Sequence, residues 1–172
     1  MRITISGRAF FKKAQPPLDL APVRAAVRRA LHPYGLPADT AVTIAFIDDT
    51  AMRALNKRHR RKDRTTDVLS FGQALPRGAK GAKAVASLGR EPDGTLELGD
   101  IVISPAQAGQ QARRRRHPLA HEVAFLAAHG ALHLLGFRDD TTAGYREMVR
   151  LGEGAVPKGA KRRPPRTRSA GR

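Results

Sequence analysis

The stretch PLAHEVAFLAAHGALHLLGFRDD, residues 118–140, is the part of the chain that decides the fold. Within it, Pro118–Leu135 has the strongest helical pattern of the sequence, and its nearly continuous apolar character is typical of a helix in a protein core. Gly136 follows, and glycine is common just beyond the C-terminus of a helix. We therefore predict a core helix that ends at a glycine turn.

Two histidines on this helix have the spacing of metal ligands. His129 and His133 are four residues apart, so both imidazoles project from one face and can bind a single ion. After the turn, the chain can bring a third ligand over that face, either Asp139 or Asp140. Three protein ligands leave a fourth position open, as in catalytic rather than structural metal sites. The alternative is a pair of hydrogen-bonded core histidines without a metal.

On both sides of this helix, strand patterns alternate with helix patterns. The predicted strands are Arg2–Ser6, Ala41–Ile47, Asp67–Phe71 and Thr95–Ile103, the last bent at Gly99 or divided into two. Further helices are predicted over Leu18–Leu31, from Asp48 to about Arg58, from Ser104 to about Arg114 and over Thr141–Leu151. The predicted fold class is α/β or α+β, with a single small mixed sheet of about four strands and about five helices. The metal-binding helix lies in the core of this fold.

The length of 172 residues fits one domain with short additions. We expect a single domain over residues 1–154 and a disordered basic tail over residues 155–172, because the tail has seven basic residues and no acidic one. Residues 72–94 are rich in glycine and have no sustained periodicity, which predicts a long mobile loop inside the domain.

The charge of the chain indicates a polyanionic partner. There are 32 basic and 15 acidic residues, and the chain without its tail still has 25 basic residues. Such an excess favours nucleic acid as the partner. The absence of cysteine excludes a disulfide scaffold and a thiolate metal site. Neither a membrane-spanning run nor a signal-peptide core is present, so we expect a cytoplasmic protein without a membrane partner.

The segment NKRHRRKDRTTDVLS, residues 56–70, is the candidate RNA-binding region. Its basic residues come at the predicted end of a helix and would attract a phosphate backbone. The candidate RNA-binding residues are Arg60, Arg61, Lys62 and Arg64. The alternative is a solvated basic face without a ligand.

Two other features are ambiguous from the sequence. Arg113–Arg116 is a run of four arginines, which we interpret as a solvated segment that adds to the positive field. Glu122 precedes His129 by seven residues and is close to the same helical stripe. It is either a partner of a ligand or of a basic residue, or an ordinary partly buried carboxylate. The other histidines do not share the stripe of the pair and are not expected to be ligands: His32, His59, His117 and His121.

Three motifs in order carry a family resemblance: LNKRHRRKDRTTDVLSF at Leu55–Phe71, LGDIVIS at Leu98–Ser104, and HGALHLLGF from His129. In this order and spacing they resemble the YbeY family of single-strand-specific, zinc-dependent endoribonucleases, over the region from about Ile44 to Met148. The resemblance implies an α/β fold. It also implies maturation of ribosomal RNA, notably of the 3′ end of the small-subunit RNA, and a role in ribosome quality control.

The resemblance also assigns roles to individual residues. The first two zinc-binding histidines of the family fall on His129 and His133. The arginine of its LNxxYRxKD segment falls on Arg60, with His59 where the family usually has tyrosine. The acidic residue seven positions before the first ligand falls on Glu122.

The third ligand departs from the family pattern. The HGxLHLxGYDH pattern has histidine at this position, whereas this chain has Asp139, preceded by Arg138 instead of aspartate. Aspartate binds zinc at about 2.0–2.2 Å, but it is shorter than histidine and negatively charged. An anionic ligand makes harder divalent ions better competitors for zinc.

Together, the residues and the resemblance predict a metal-dependent endoribonuclease that cleaves single-stranded RNA. One zinc per chain would be bound by His129, His133 and Asp139, and His129 and Arg60 would be the catalytic residues. The expected partners are single-stranded RNA and ribosomal RNA or the small ribosomal subunit, and no small-molecule cofactor is expected. One alternative is a non-catalytic RNA- or ribosome-binding protein. A metalloprotease is the other, although Gly130 replaces the glutamate of the HExxH signature.

Overall fold

The computed structural model of this chain describes residues 1–11 and 18–158. In these residues the chain forms four strands: β1 (Arg2–Ser6), β2 (Thr40–Phe46), β3 (Val68–Gly72) and β4 (Leu96–Ile103). The same residues form six α-helices: α1 (Ala21–Leu31), α2 (Asp49–Arg60), α3 (Ala82–Val85), α4 (Pro105–Arg115), α5 (Leu119–Leu134) and α6 (Thr142–Ala155). The predicted α/β class with about four strands is confirmed. The additional helix is α3, a single turn inside the predicted loop.

The strands form one mixed sheet in the order β1-β2-β4-β3. β2 is parallel to both β1 and β4, whereas β3 is antiparallel to β4. In the register, Phe46 pairs with Ile103, and Ile103 pairs with Val68. The ends of β2 and β4 therefore meet the start of β3 at one edge of the sheet. The helices α2 and α4 begin at this edge.

A glycine allows β4 to be one strand rather than two. Gly99 has a positive φ of 132°, and a Cβ atom at this residue would lie 2.2 Å from the carbonyl oxygen of Phe71. The register with β2 shifts here, since Ala41 pairs with Glu97 and Val42 with Gly99. Such a bulge changes the direction of the strand without ending it. The predicted bend therefore does not divide β4.

The helix α5 is buried on all sides. It packs against α1, α4, α6 and the strands β3 and β4. Its residues from His121 to Leu132 are all buried, as expected for a helix that is apolar around its whole circumference. At the sheet the approach is close: Ser70 Oγ donates a hydrogen bond of 3.1 Å to the Gly130 carbonyl. The prediction of this helix in the core is therefore confirmed.

The opposite face of the sheet is covered by α2. Ile101 faces α5, so its neighbour Val102 points to the other side of the strand. There Val102 and Leu69 form a small second core with Met52 of α2. This packing fixes α2, and with it the basic segment at its C-terminal end, against the sheet.

The folded part of the chain ends later than the predicted domain boundary at residue 154. Ala155 completes α6, and both Ala155 and Val156 are buried in the main core, so the folded part extends beyond residue 154. Most of the predicted basic tail, residues 159–172, lies outside the described residues. The mobility of residues 72–94 remains a prediction. None of the helices in the described parts of the chain is long and apolar enough to cross a membrane.

The close contact between α5 and the sheet predicts the effect of two glycine substitutions. In Gly130→Ala, the new Cβ atom would lie 2.6 Å from Ile101 Cγ2 and 3.1 Å from Ser70 Oγ. We expect a loss of about 1–3 kcal/mol in the free energy of unfolding, because the core is overpacked. Gly154→Ala in α6 is the matched control, since its Cβ atom meets nothing within 4 Å. It should change stability by at most about 1 kcal/mol, in the stabilising direction.

Urea denaturation followed by circular dichroism measures both values. Equal unfolding free energies for the two variants would contradict the direct packing of Gly130 on Ile101.

Candidate metal centre and its cleft

A cleft of about 1630 Å³ opens beside the C-terminal half of α5. Its walls come from the end of α2, strand β3, the end of α4, the turn after α5 and one side of α6. Residues 75–80 of the long connection between β3 and β4 also line it. The cleft is therefore assembled from segments that are far apart in the sequence.

The predicted histidine pair and one aspartate come together in this cleft. Asp139 Oδ2 lies 3.3 Å from His129 Nε2 and 3.7 Å from His133 Nε2. One ligand atom from each of the three residues lies within 4.8 Å of the other two, so the group could hold a metal ion. The side chain of His129 is 10% exposed and that of Asp139 is 36% exposed. The cluster therefore faces the cleft from a recessed position.

The donor set and its spacing fit a divalent cation. Tetrahedral ligands with bonds of about 2.0–2.1 Å lie roughly 3.3 Å apart, close to both measured separations from Asp139 Oδ2. The Phe137 carbonyl oxygen lies 2.9 Å from His133 Nδ1 and can only accept a hydrogen bond. This leaves the lone pair of His133 on Nε2, the nitrogen that faces the cluster.

Burial and charge favour the ligand forms of the cluster. Burial, and then the neighbouring His133, lower the pKa of His129, which favours the neutral imidazole. Burial alone would raise the pKa of Asp139, but His133 and His129 outweigh it, and the net shift is downward. A neutral imidazole and an ionised carboxylate are the forms that bind metal ions.

The structure distinguishes the two candidates for the third ligand, Asp139 and Asp140. The carboxylate of Asp140 points to Arg138, with its Oδ2 3.0 Å from Arg138 Nε. Asp140 is not part of the group that could hold a metal ion, which within the described residues consists of His129, His133 and Asp139. The four remaining histidines lie outside this group.

The turn after α5 positions Asp139. Gly136 has a φ of 78°, so it takes the left-handed conformation that the sequence predicts for the end of this helix. A Cβ atom at Gly136 would lie 2.2 Å from the Ala79 carbonyl oxygen. The amide of Gly81 donates a hydrogen bond of 2.9 Å to the Leu135 carbonyl. The long connection between β3 and β4 is thus packed onto this turn.

A compact turn at the end of α2 presents Arg60 to the cleft. Arg60 is the last residue of α2, and Arg61 caps the helix in a left-handed conformation. The buried Asn56 side chain donates a hydrogen bond of 2.7 Å to the Arg64 carbonyl. Asp63 folds back onto the helix and binds Arg53 at 2.7 Å and Lys57 at 3.0 Å. The structural roles of Asn56 and Asp63 have no signal in the sequence.

Of the four predicted RNA-binding residues, Arg60 lines the cleft, whereas Arg61, Lys62 and Arg64 do not. These three residues are exposed on the surface beside it. Whether they bind RNA remains a prediction.

The cleft also contains basic residues that were not among the four predicted RNA-binding residues: Arg77, Lys80, Arg115 and Arg138. Lys80 is paired with Glu147 at 3.0 Å, whereas Arg60 and Arg77 have no ion pair among the described residues. The positions of Arg77 and Arg115 depend on the packing of the long connection and of α4, which local sequence patterns do not encode.

Glu122 is fully buried, and its partners are basic residues. Its Oε1 atom lies 3.3 Å from Arg115 Nη1, and its Oε2 atom lies 2.8 Å from His117 Nε2. Burial raises the pKa of Glu122, and the nearby Arg115 and His117 oppose this shift. Of the interpretations that the sequence left open, the structure supports a partner of basic residues.

The fold and the site define an α/β protein whose buried helix presents a three-residue group that could hold a metal ion to a cleft lined by both basic and acidic side chains. The family model described as "Endoribonuclease YbeY" matches residues 12–157. An Endoribonuclease YbeY from Moorella thermoacetica is 40% identical over 129 residues, which cover 75% of this chain and 79% of that protein. Another from Geobacillus kaustophilus is 42% identical over 113 residues, covering 66% and 69%.

This chain belongs to the Endoribonuclease YbeY family. The resemblance stated from its motifs is thereby confirmed, and with it the prediction of an endoribonuclease. The fold is also similar to the solution structure of TM1509 from Thermotoga maritima. That similarity has a TM-score of 0.51 at 20% identity and covers 90% of this chain and 87% of that one.

The position of Asp139 predicts which aspartate is needed for metal binding. We expect the purified protein to contain about one divalent ion per chain and Asp139→Ala to lose most of it, because one of three protein ligands is removed. Asp140→Ala is the matched control and should keep the metal, since its carboxylate points to Arg138. Elemental analysis of the untagged proteins measures the content. Loss of metal in Asp140→Ala alone would contradict this geometry.

The contacts of Asp63 in the turn at the end of α2 predict how its contribution to stability depends on pH. Hydrogen bonds from Arg53 and Lys57 lower the pKa of the Asp63 carboxyl from 3.8 to about 2. Because the folded-state pKa is lowered, the stabilising contribution of this group is present above pH 3.8 and is lost as the pH falls towards 2. An NMR titration of the side-chain carboxyl carbon measures this value. A midpoint near 3.8 would contradict the contacts of Asp63 with α2.

Proposed function

We propose that this protein is a metal-dependent endoribonuclease that hydrolyses single-stranded RNA in ribosomal RNA maturation, with zinc bound by His129, His133 and Asp139. One observation carries the proposal: the three-residue metal-binding group and Arg60 line the same cleft. Membership of the Endoribonuclease YbeY family supports the reaction. The small ribosomal subunit as partner and the cytoplasm as location are parts of this proposal, and they rest on the family resemblance.

When bound, a divalent ion supplies a Lewis acid that lowers the pKa of water and stabilises negative charge on a phosphate. His129 and His133 would hold it through Nε2, and Asp139 through Oδ2. The carboxylate lowers the net charge of the centre relative to three histidines, so harder divalent ions compete better with zinc than at a three-histidine site. Two imidazoles still favour zinc among the common cellular ions.

The basic residues around the cluster would bind the substrate and neutralise charge on its phosphate. Arg60 would bind a non-bridging phosphate oxygen and neutralise the charge that grows in the transition state. Arg77 would contact the same backbone from the long connection. These cations bind phosphate rather than bases, so we expect little sequence preference and a steep decrease in affinity with salt.

The recessed position of the cluster favours single-stranded substrates. His129 is only 10% exposed in its side chain, at the bottom of a cleft whose walls come from several elements. A flexible single strand can bring one phosphate to that depth. A rigid duplex has a regular surface and would be held away by the walls.

Substitutions of His129 and Arg60 test this function. His129→Ala should abolish the cleavage of unstructured RNA while changing RNA affinity by less than about two-fold, because phosphate contacts dominate affinity. Arg60→Ala should lower kcat by about 10²–10³-fold, as expected for the loss of one group that stabilises transition-state charge. Arg58→Ala is the matched control, since it removes a charge from the same helix but does not line the cleft. Gel assays with end-labelled single-stranded and duplex RNA measure these rates.

The same assays distinguish the alternatives. Wild-type protein that binds RNA but cleaves it no faster than His129→Ala, even after zinc is added, would establish a non-catalytic RNA-binding protein. Cleavage of an unstructured protein substrate with RNA left intact would establish a protease.

A further inference from the structure

The run of four arginines at the end of α4 is not uniform. Among the described residues of this run, Arg115 lines the cleft, whereas Arg113, Arg114 and Arg116 do not. Arg114 turns back along the helix, where its Nη2 atom donates a hydrogen bond of 3.2 Å to Gln110 Oε1. Arg116 lies beyond the helix in a left-handed conformation. Of these four consecutive arginines, Arg115 is therefore the one that lines the cleft.

Arg115 is held in its position by the protein core. Its Nη1 atom lies 3.3 Å from Oε1 of Glu122, a carboxylate whose side chain is fully buried. Its guanidinium carbon lies 5.8 Å from the centroid of the Phe125 ring. A buried carboxylate and an aromatic ring are both favourable partners for guanidinium, and together they restrict its movement.

The contact with Phe125 brings Arg115 towards the metal-binding group. The centroid of the same Phe125 ring lies 5.7 Å from that of His129. Phe125 thus connects the arginine to the first metal-binding histidine along one wall of the cleft. A phosphodiester backbone at the cluster would pass close to this guanidinium.

The contact with Glu122 leaves most of the N–H donors of the Arg115 guanidinium without a partner in that contact. Arginine has five N–H donors, and the contact with Glu122 uses one nitrogen. The Arg115 side chain is 45% exposed and lines the cleft. Guanidinium groups can bind phosphate oxygens through two parallel hydrogen bonds. A restrained guanidinium also loses less conformational entropy on binding than a free one.

We propose that Arg115 is a second phosphate-binding residue of the cleft, which contacts the RNA backbone next to the phosphate at the metal-binding group. Glu122 is its positioning residue. This inference rests on the proposed function and adds a substrate contact that the basic segment of α2 does not provide. Arg60, at the end of α2, and Arg115, at the end of α4, then hold two points of one strand.

The run itself supplies the matched control for this proposal. Arg115→Ala and Arg114→Ala remove the same charge from adjacent positions, so they differ in position rather than in net charge. RNA affinity is measured by fluorescence anisotropy with a short unstructured RNA after chelation of metal, at several salt concentrations. Arg115→Ala should raise Kd about ten-fold and reduce the slope of log affinity against log salt by about 0.7, the value for one lost phosphate contact on a single strand. Arg114→Ala should change Kd less than two-fold.

The positioning role of Glu122 is tested by Glu122→Gln, alone and combined with Arg115→Ala. We expect the single variant to raise Kd and KM three- to five-fold with kcat changed less than two-fold. In the Arg115→Ala background it should have no further effect on Kd, because the residue it positions is absent. An effect of equal size in both backgrounds would show a merely structural role. Arg115→Lys keeps the charge without the planar fork and should recover only part of the affinity.

The outcomes separate this proposal from the proposed function. Equal losses of affinity in Arg115→Ala and Arg114→Ala, or no loss in either, would overturn the assignment of Arg115. If wild-type protein binds RNA but does not cleave it, the nuclease proposal fails. The difference in Kd between the two variants would still decide whether Arg115 binds phosphate.

Discussion

The direct packing of α5 on the sheet is the constraint on which the rest of the structure depends. Gly130 lacks a side chain, so the helix lies on Ile101 and receives a hydrogen bond from Ser70. Apart from Leu119 and Ala120 at its start, α5 has a residue that is not buried only near its C-terminal end, at His133. The histidines of the metal-binding group lie there, His129 one residue before the point of contact. The same packing that forms the core thus fixes the height of the cluster above the sheet.

Polar groups inside a buried helix need partners, and the partners of α5 build the cleft. Burial disfavours the ionised form of Glu122, and the contacts with Arg115 and His117 counteract it. His121 is also buried, and its Nε2 atom lies 3.0 Å from Glu153 Oε1 of α6. Both pairs join α5 to segments that line the cleft. Polar residues of α5 therefore contact the end of α4 and α6, two elements that line the cleft.

The cluster consists of two histidines that match the family resemblance, His129 and His133, and a third residue that departs from it, Asp139. Asp139 stands where the resemblance stated from the motifs implies histidine, and the turn through Gly136 brings its Oδ2 atom to within 3.7 Å of both imidazole Nε2 atoms. A carboxylate is shorter than an imidazole, yet the turn tolerates the change. The chemical consequence would lie in the charge of a metal centre at this group and in its preference among divalent ions.

Sequence patterns alone predicted the order of strands and helices, the core helix with its glycine end, and the pair His129 and His133. These features depend on periodicity and on spacing along one helix, which neighbouring residues encode. Only the tertiary structure distinguished Asp139 from Asp140, and Arg115 from the other arginines of its run. It also extended the folded part to Val156 and showed that, of the predicted RNA-binding residues, Arg60 lines the cleft. Each of these outcomes depends on segments that are distant in the chain but packed together, and local sequence patterns do not specify such contacts.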